Sequence, residues 1–214
     1  MPGSDTVNPM NATAIRQTLL ENGAVMGREE FHRLYEQCEE LRKVELIEGI
    51  VYMPSPVKFE QHGQTSTLMI GWLLAYQIFH PGEVAVADGT SVMLDDRNEP
   101  IPDAMLFRLR PDRFEDGYVS GAPELVVEVA NSSLSRDLNQ KKEAYRRNGV
   151  LEYIVWRVRD EAIDWFQLRN GDYELRTPDA TGVIESEVFP GLRLDVAAAL
   201  ANNLNQVMGA VRGS

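Results

Sequence analysis

A charged side chain inside an apolar strand costs several kcal/mol, very roughly, unless a partner or a cation satisfies it. The residues that break the local apolar pattern are therefore where chemistry is sought first. Asp103 follows Pro102 in Ile101-Pro102-Asp103-Ala104-Met105-Leu106-Phe107, a run that otherwise carries no charge. Glu128 sits inside Leu125-Val126-Val127-Glu128-Val129-Ala130 with no polar neighbour on either side. The third break is Lys141. On the helix expected after Glu128, Leu134, Leu138 and Tyr145 step by four and seven; Lys141 falls on their stripe and Lys142 points away. Two carboxylates on adjacent strands can bind a divalent cation, because magnesium takes carboxylate oxygens and needs few protein ligands. A helix packed over those strands would bring the Lys141 ammonium toward them. Each residue also has an ordinary structural reading: Glu128 pairing with a core arginine, Asp103 capping a turn after Pro102, Lys141 pairing with Asp137 or reaching solvent. What favours a shared site is that all three fall in one βαβ-like unit.

The elements that must position them read as one mixed α/β domain over 15–214, preceded by a flexible polar arm over 1–14. Phe31, Leu34, Tyr35 and Cys38 at helical spacing predict an amphipathic helix over 29–42. Val44–Met53 reads as a hairpin or kinked strand turning at Glu48-Gly49, and the apolar stretch 60–79, stopped by His80-Pro81-Gly82, as a helix. Strands are expected at 83–87, 90–94 and 101–107, then a charged, glycine-containing loop over 108–122. The continuous apolar run 124–130 has the composition of a central strand buried on both faces. A helix from Ser135 to Asn148, ended by Gly149, leads to a second buried strand at 151–158. A hairpin around Asn170-Gly171 and a terminal helix from Asp195 complete the chain.

These strings, in this order, resemble the PD-(D/E)XK nuclease superfamily and more closely its Uma-type family, classed as restriction endonucleases. The matching residues are Glu45-Leu46-Ile47-Glu48-Gly49, Pro102-Asp103, Pro123 to Val129, Asp137-Leu138-Asn139-Gln140-Lys141 with Tyr145, and Gly149-Val150 leading into Glu152-Tyr153-Ile154-Val155. The resemblance covers about 29–195. It implies a restriction-endonuclease-like mixed β-sheet core flanked by helices, with an extra hairpin and meander. It further implies that Asp103 and Glu128, with the Val129 carbonyl as a further donor, hold magnesium or manganese. Lys141 is then the water-orienting group and Glu45 a further acid, a potential outer ligand. In the wider superfamily the lysine stands two residues after the second acid, where this chain has Ala130; the Uma-type pattern moves it to the next helix, at Lys141. The chain also departs from the family in Ala130-Asn131-Ser132-Ser133, in place of leucine, serine, proline, serine, and in Ile50, where an acid is common. The implied activity is metal-dependent hydrolysis of DNA phosphodiester bonds, and the assembly expected of an enzyme that cuts both strands is a symmetric homodimer.

Other classes fare worse. One cysteine among 214 residues excludes an internal disulfide and a cysteine-rich zinc site, and a reducing cytoplasm is the expected compartment. The longest apolar stretch, 68–79, is too short for a bilayer span, so no membrane association is expected. His32, His62 and His80 show no paired metal spacing, and of these only His62, near the start of the long helix, invites a closer look. Nucleophile-elbow, phosphate-loop and dinucleotide fingerprints are absent. A net charge of −12 opposes a polyanionic partner. The segment 101–160 nonetheless balances 10 acidic against 10 basic residues, and Arg136, Lys141, Lys142, Arg146 and Arg147 leave room for a local basic face. The acidity supports one rival reading, a non-catalytic interaction module that retains the nuclease fold.

Overall fold

A computed structural model describes residues 20–38, 40–54 and 62–211, so the arm expected over 1–14 lies outside the described residues. Helix α1 (Arg28–Glu36) buries Phe31 and Leu34 against a hairpin of β1 (Glu45–Ile47) and β2 (Ile50–Tyr52), with Leu20, Val44, Leu46 and Val51 sharing that core. The hairpin turns on Glu48 and Gly49, both at positive φ (54° and 74°), the two-residue turn whose twist suits antiparallel strands. The positive φ favours glycine at 49, and a Cβ there would lie 2.7 Å from the Arg97 guanidinium that donates to the Glu48 carbonyl, which would have to shift. Gly49→Ala is expected to lower stability by about 1–2 kcal/mol, read as a shifted denaturant midpoint at unchanged slope.

Helix α2 (Gln64–Phe79) is followed by β3 (Val84–Ala87), β4 (Val92–Met93) and β5 (Ala104–Arg108). The expected loop over 108–122 is instead structured: a 3-10 turn at Pro111–Arg113, then β6 (Phe114–Glu115) and β7 (Tyr118–Ser120). Asp116 and Gly117, both at positive φ, close that hairpin, and β7 pairs in parallel with β4. Next come β8 (Leu125–Ala130) and a composite helix α3, in which Leu134–Arg136 runs through a π turn at Asp137–Lys141 into Lys142–Asn148. After it lie β9 (Glu152–Arg157), β10 (Ala162–Arg169), β11 (Asp172–Arg176), β12 (Val183–Glu185) and β13 (Arg193–Asp195). The expected terminal helix is two short ones, α4 (Val196–Leu200) and α5 (Leu204–Ala210), capped by the side chains of Asp195 and Asn203.

The main sheet has the order β11-β10-β9-β8-β5-β3, and only β8 and β9 run parallel. A parallel pair needs a crossover, which α3 supplies. All six residues of β8 are buried, as befits a strand covered on both faces. Side chains alternate between two layers: Ala104, Leu106, Leu125 and Val127 pack under α2 and the C-terminal elements, while Met105, Phe107, Val126 and Ala130 pack with Tyr145 of α3. That period of two puts Glu128 of β8 on the α3 face and, continued one residue ahead of β5, puts Asp103 there too. Among the described residues no helix is long and apolar enough to cross a membrane.

Candidate active site

Asp103 is not within a strand but immediately ahead of β5, where the chain leaves the sheet. The antiparallel register Ala104↔Val127, continued by one step, sets it opposite Glu128. Its Oδ2 accepts from the Val129 amide at 2.8 Å, tying the loop to the centre of the sheet. His62 reaches the same oxygen, Nε2 to Oδ2 3.2 Å, from the turn leading into α2. Burial opposes the charge on Asp103, yet His62, the Val129 amide and the Lys141 ammonium together hold its carboxyl below the ordinary range.

Glu128, opposite Asp103, is buried. Its Oε1 accepts from Lys141 Nζ and from the Tyr145 hydroxyl, each at 2.8 Å. Lys141 Nζ also lies 2.6 Å from Oε1 of Glu45, which accepts from the Ile101 amide at 2.9 Å. The ammonium is thus clamped between two carboxylates. Although burial alone would lower the Lys141 pKa, Glu128, Glu45 and Asp137 raise it, so the side chain stays charged. Burial pushes the Glu128 carboxyl well above its ordinary range; Lys141 pulls back, while Asp137, Asp103 and Glu45 push further up.

The π turn explains which face of α3 looks inward. On an uninterrupted helix Leu134, Leu138 and Lys141 would share the buried stripe, but the widened turn buries Asp137 (1% exposed) and Lys141 (2%) and leaves Leu134 and Leu138 half-buried. Such turns are frequent at functional sites because they re-aim side chains. Asp137, three positions after Leu134 and four before Lys141, falls on the same stripe by helical spacing, but the sequence reading does not single it out as a site residue; it is buried in a cavity wall, its carboxyl is raised by burial, and its Oδ1 has no hydrogen-bond partner. Lys142 does turn away from the acids. It is not solvent-bound, however, because its ammonium lies 3.6 Å from the centre of the Phe166 ring.

Glu45, His62, Asp103, Glu128, Asp137 and Lys141 line one cavity of about 330 Å³, with Lys43, Arg136 and Arg159 among its walls. Arg136 stacks over Tyr52 at 4.7 Å and lies 3.6 Å from Glu45. The expected basic face does not extend along the helix: Arg146 is bound to Glu143 and Asp172, and Arg147 to Glu48. Their charges are met by Glu143 on the same helix and by two partners distant in sequence. The other histidines are elsewhere, His32 on buried Glu99 and His80 on the Tyr76 carbonyl.

Among the described residues no three His, Cys, Asp or Glu side chains form a ready ligand set for a metal. The donor set still fits a hard cation. Glu45, Asp103, Glu128 and Asp137 outnumber the buried ammonium, and a partnerless carboxylate oxygen stands in the wall. Magnesium is commonly held by one or two carboxylates plus water and substrate oxygens.

A mixed sheet flanked by helices, with acids at the ends of two neighbouring strands and a lysine on the crossover helix, defines an α/β protein of nuclease-like architecture. The same fold occurs in the crystal structure of "a putative nuclease belonging to DUF820" from Anabaena variabilis ATCC 29413: 83% of this chain and 98% of that one superpose with a TM-score of 0.63 at 15% identity. The sequence model of the Uma2 family, described as "Putative restriction endonuclease", matches residues 28–197, and the chain belongs to that family. Comparison with curated proteins gave no match.

Proposed function

We propose that this protein is a divalent-cation-dependent endonuclease that hydrolyses DNA phosphodiester bonds, with Asp103 and Glu128 as cation ligands and Lys141 as the electrostatic group beside the attacking water. The observation that carries the reading is the convergence of the three side chains, from β8, the loop before β5 and α3, in one cavity. Magnesium or manganese, when bound, supplies Lewis acidity to the phosphoryl group and an activated water. The chain's own residues do the rest. Asp103 presents Oδ1 while its Oδ2 is fixed by the Val129 amide and His62. Glu128 presents Oε2 while Lys141 and Tyr145 hold its Oε1. The Val129 carbonyl is a third donor proposed from the family pattern.

Lys141 offsets the charge that develops on the phosphate, and it needs no reorganisation because two carboxylates already hold it in place. Glu45 is better suited to positioning that ammonium than to outer ligation, since its Oε1 is already taken by Lys141 and the Ile101 amide. Lys43, Arg136 and Arg159 are placed to meet phosphates at the mouth. The net charge of −12 is the observation behind the second reading, a non-catalytic interaction module. The test is direct. Purified protein with magnesium or manganese should nick or cut supercoiled plasmid, chelator should stop it, and activity should fall steeply with added salt. Folded, cation-loaded protein that cuts neither duplex nor single-stranded DNA would favour the module.

A further inference from the structure

We infer that His62 and Ser66 form a relay that aims the Asp103 carboxylate at the cation, which makes His62 a positioning residue of the site. The inference rests on the reading of Asp103 as a cation ligand. A carboxylate only accepts hydrogen bonds, so the imidazole nitrogen 3.2 Å from Asp103 Oδ2, Nε2, must carry its proton. In the neutral ring that leaves Nδ1 as the acceptor, and the Ser66 hydroxyl lies 3.1 Å from it, one helical turn on. The bonds therefore run in one direction, Ser66 hydroxyl to His62 Nδ1 and His62 Nε2–H to Asp103 Oδ2, and every group is satisfied without a net charge on the ring.

Because the Val129 amide also donates to Oδ2, at 2.8 Å, that oxygen is held from two sides and the carboxylate plane is fixed. Oδ1 is the oxygen left to face the cavity. Without His62, Asp103 sits in a loop ahead of β5 and keeps one backbone bond, about which it can rotate. Hydrogen bonds to a ligating carboxylate typically set metal affinity by one to two orders of magnitude. The relay also ties the start of α2 to the cation end of the sheet, although α2 packs on the opposite face.

Calorimetric titration of the full chain with manganese alone tests this. His62→Ala should weaken binding roughly 10–100-fold. His62→Gln, whose amide can still donate to Asp103, should recover most of the loss, and Ser66→Ala should weaken binding by about threefold because the ring is oriented less well. Imidazole nitrogen spectra of the unmodified protein, recorded where those spectra show the ring neutral, should show His62 as the Nε2–H tautomer; a dominant Nδ1–H tautomer would overturn the relay even if His62→Ala fails to fold. Asp103→Asn separates the two levels of the argument. If it abolishes binding while His62→Ala binds like the unmodified chain, the relay is wrong and the cation site stands. If Asp103→Asn binds normally, the cation-site reading fails and the relay with it.

Discussion

Lys141→Ala is expected to lower DNA cleavage roughly 10²–10³-fold, the usual cost of removing one preorganised electrostatic group, and to destabilise the fold by about 3–5 kcal/mol. The second effect follows from burial. Lys141 is 2% exposed and is the cation between Glu45 and Glu128, so its loss leaves two carboxylates in a closed wall without their counter-charge. The sign of the pH dependence is fixed by Glu128, whose carboxyl is already raised by burial. Without Lys141 it rises further. An acid with a raised folded pKa destabilises the protein above that pKa, and the penalty shrinks as pH falls through it, because the folded state then takes up the proton more readily than the unfolded one. The variant's deficit should therefore be largest at neutral pH and should narrow on acidification, measured as denaturant midpoints across pH. Lys142→Ala is the control. It loses a cation–π contact with Phe166, worth about 0.5–2 kcal/mol, and its cleavage should be unchanged. Equal cleavage losses in both variants would remove the special role of Lys141.

Much of this arrangement was legible in the sequence, though for unequal reasons. Glu128 stood out because a strand of six buried positions tolerates no unexplained charge. That Asp103 and Glu128 share a face follows from the period of two once β5 and β8 are neighbours, but their neighbourhood is a fact of topology that no local pattern carries. A helix of 3.6 residues per turn places Lys141 inward, whereas the helix widens at Asp137–Lys141. Leu134 and Leu138 yield the buried stripe there to Asp137 and Lys141; Asp137 lies on that stripe by spacing, but its i,i+4 relation to Lys141 gives it an ordinary ion-pair reading. His62 drew attention only by its place near the start of α2, and its partner lies 41 positions later. Asp116-Gly117 was a readable turn signal that the surrounding charge obscured, so β6 and β7 passed for loop. Arg146 and Arg147 have the look of a phosphate-binding face, yet Glu143 on the same helix already engages Arg146 at a readable spacing, and Glu48, which takes Arg147, is remote in the chain.

The cost of the cluster gives the second large prediction. Buried ion pairs commonly contribute less than well-packed neutral groups of similar volume, while removing one partner alone is severe. Glu128→Gln keeps an acceptor for the Tyr145 hydroxyl and leaves Lys141 paired with Glu45, so its loss should be modest, about 1–2 kcal/mol. Lys141→Met should cost about 3–5 kcal/mol. The two substitutions touch one hydrogen bond, so the double variant should fall short of the summed losses by about 1–3 kcal/mol. Adding Glu45→Gln removes the second carboxylate in direct contact with the former ammonium, leaving Asp137 and Asp103 as the nearby acids, and the triple variant should match or exceed the unmodified protein in stability while cutting no DNA. A protein that becomes sturdier on losing the cluster keeps it for chemistry rather than for folding. If the losses of Glu128→Gln and Lys141→Met simply add, or the triple variant is the least stable of the series, the cluster is a structural support, and its convergence in the cavity says nothing about catalysis.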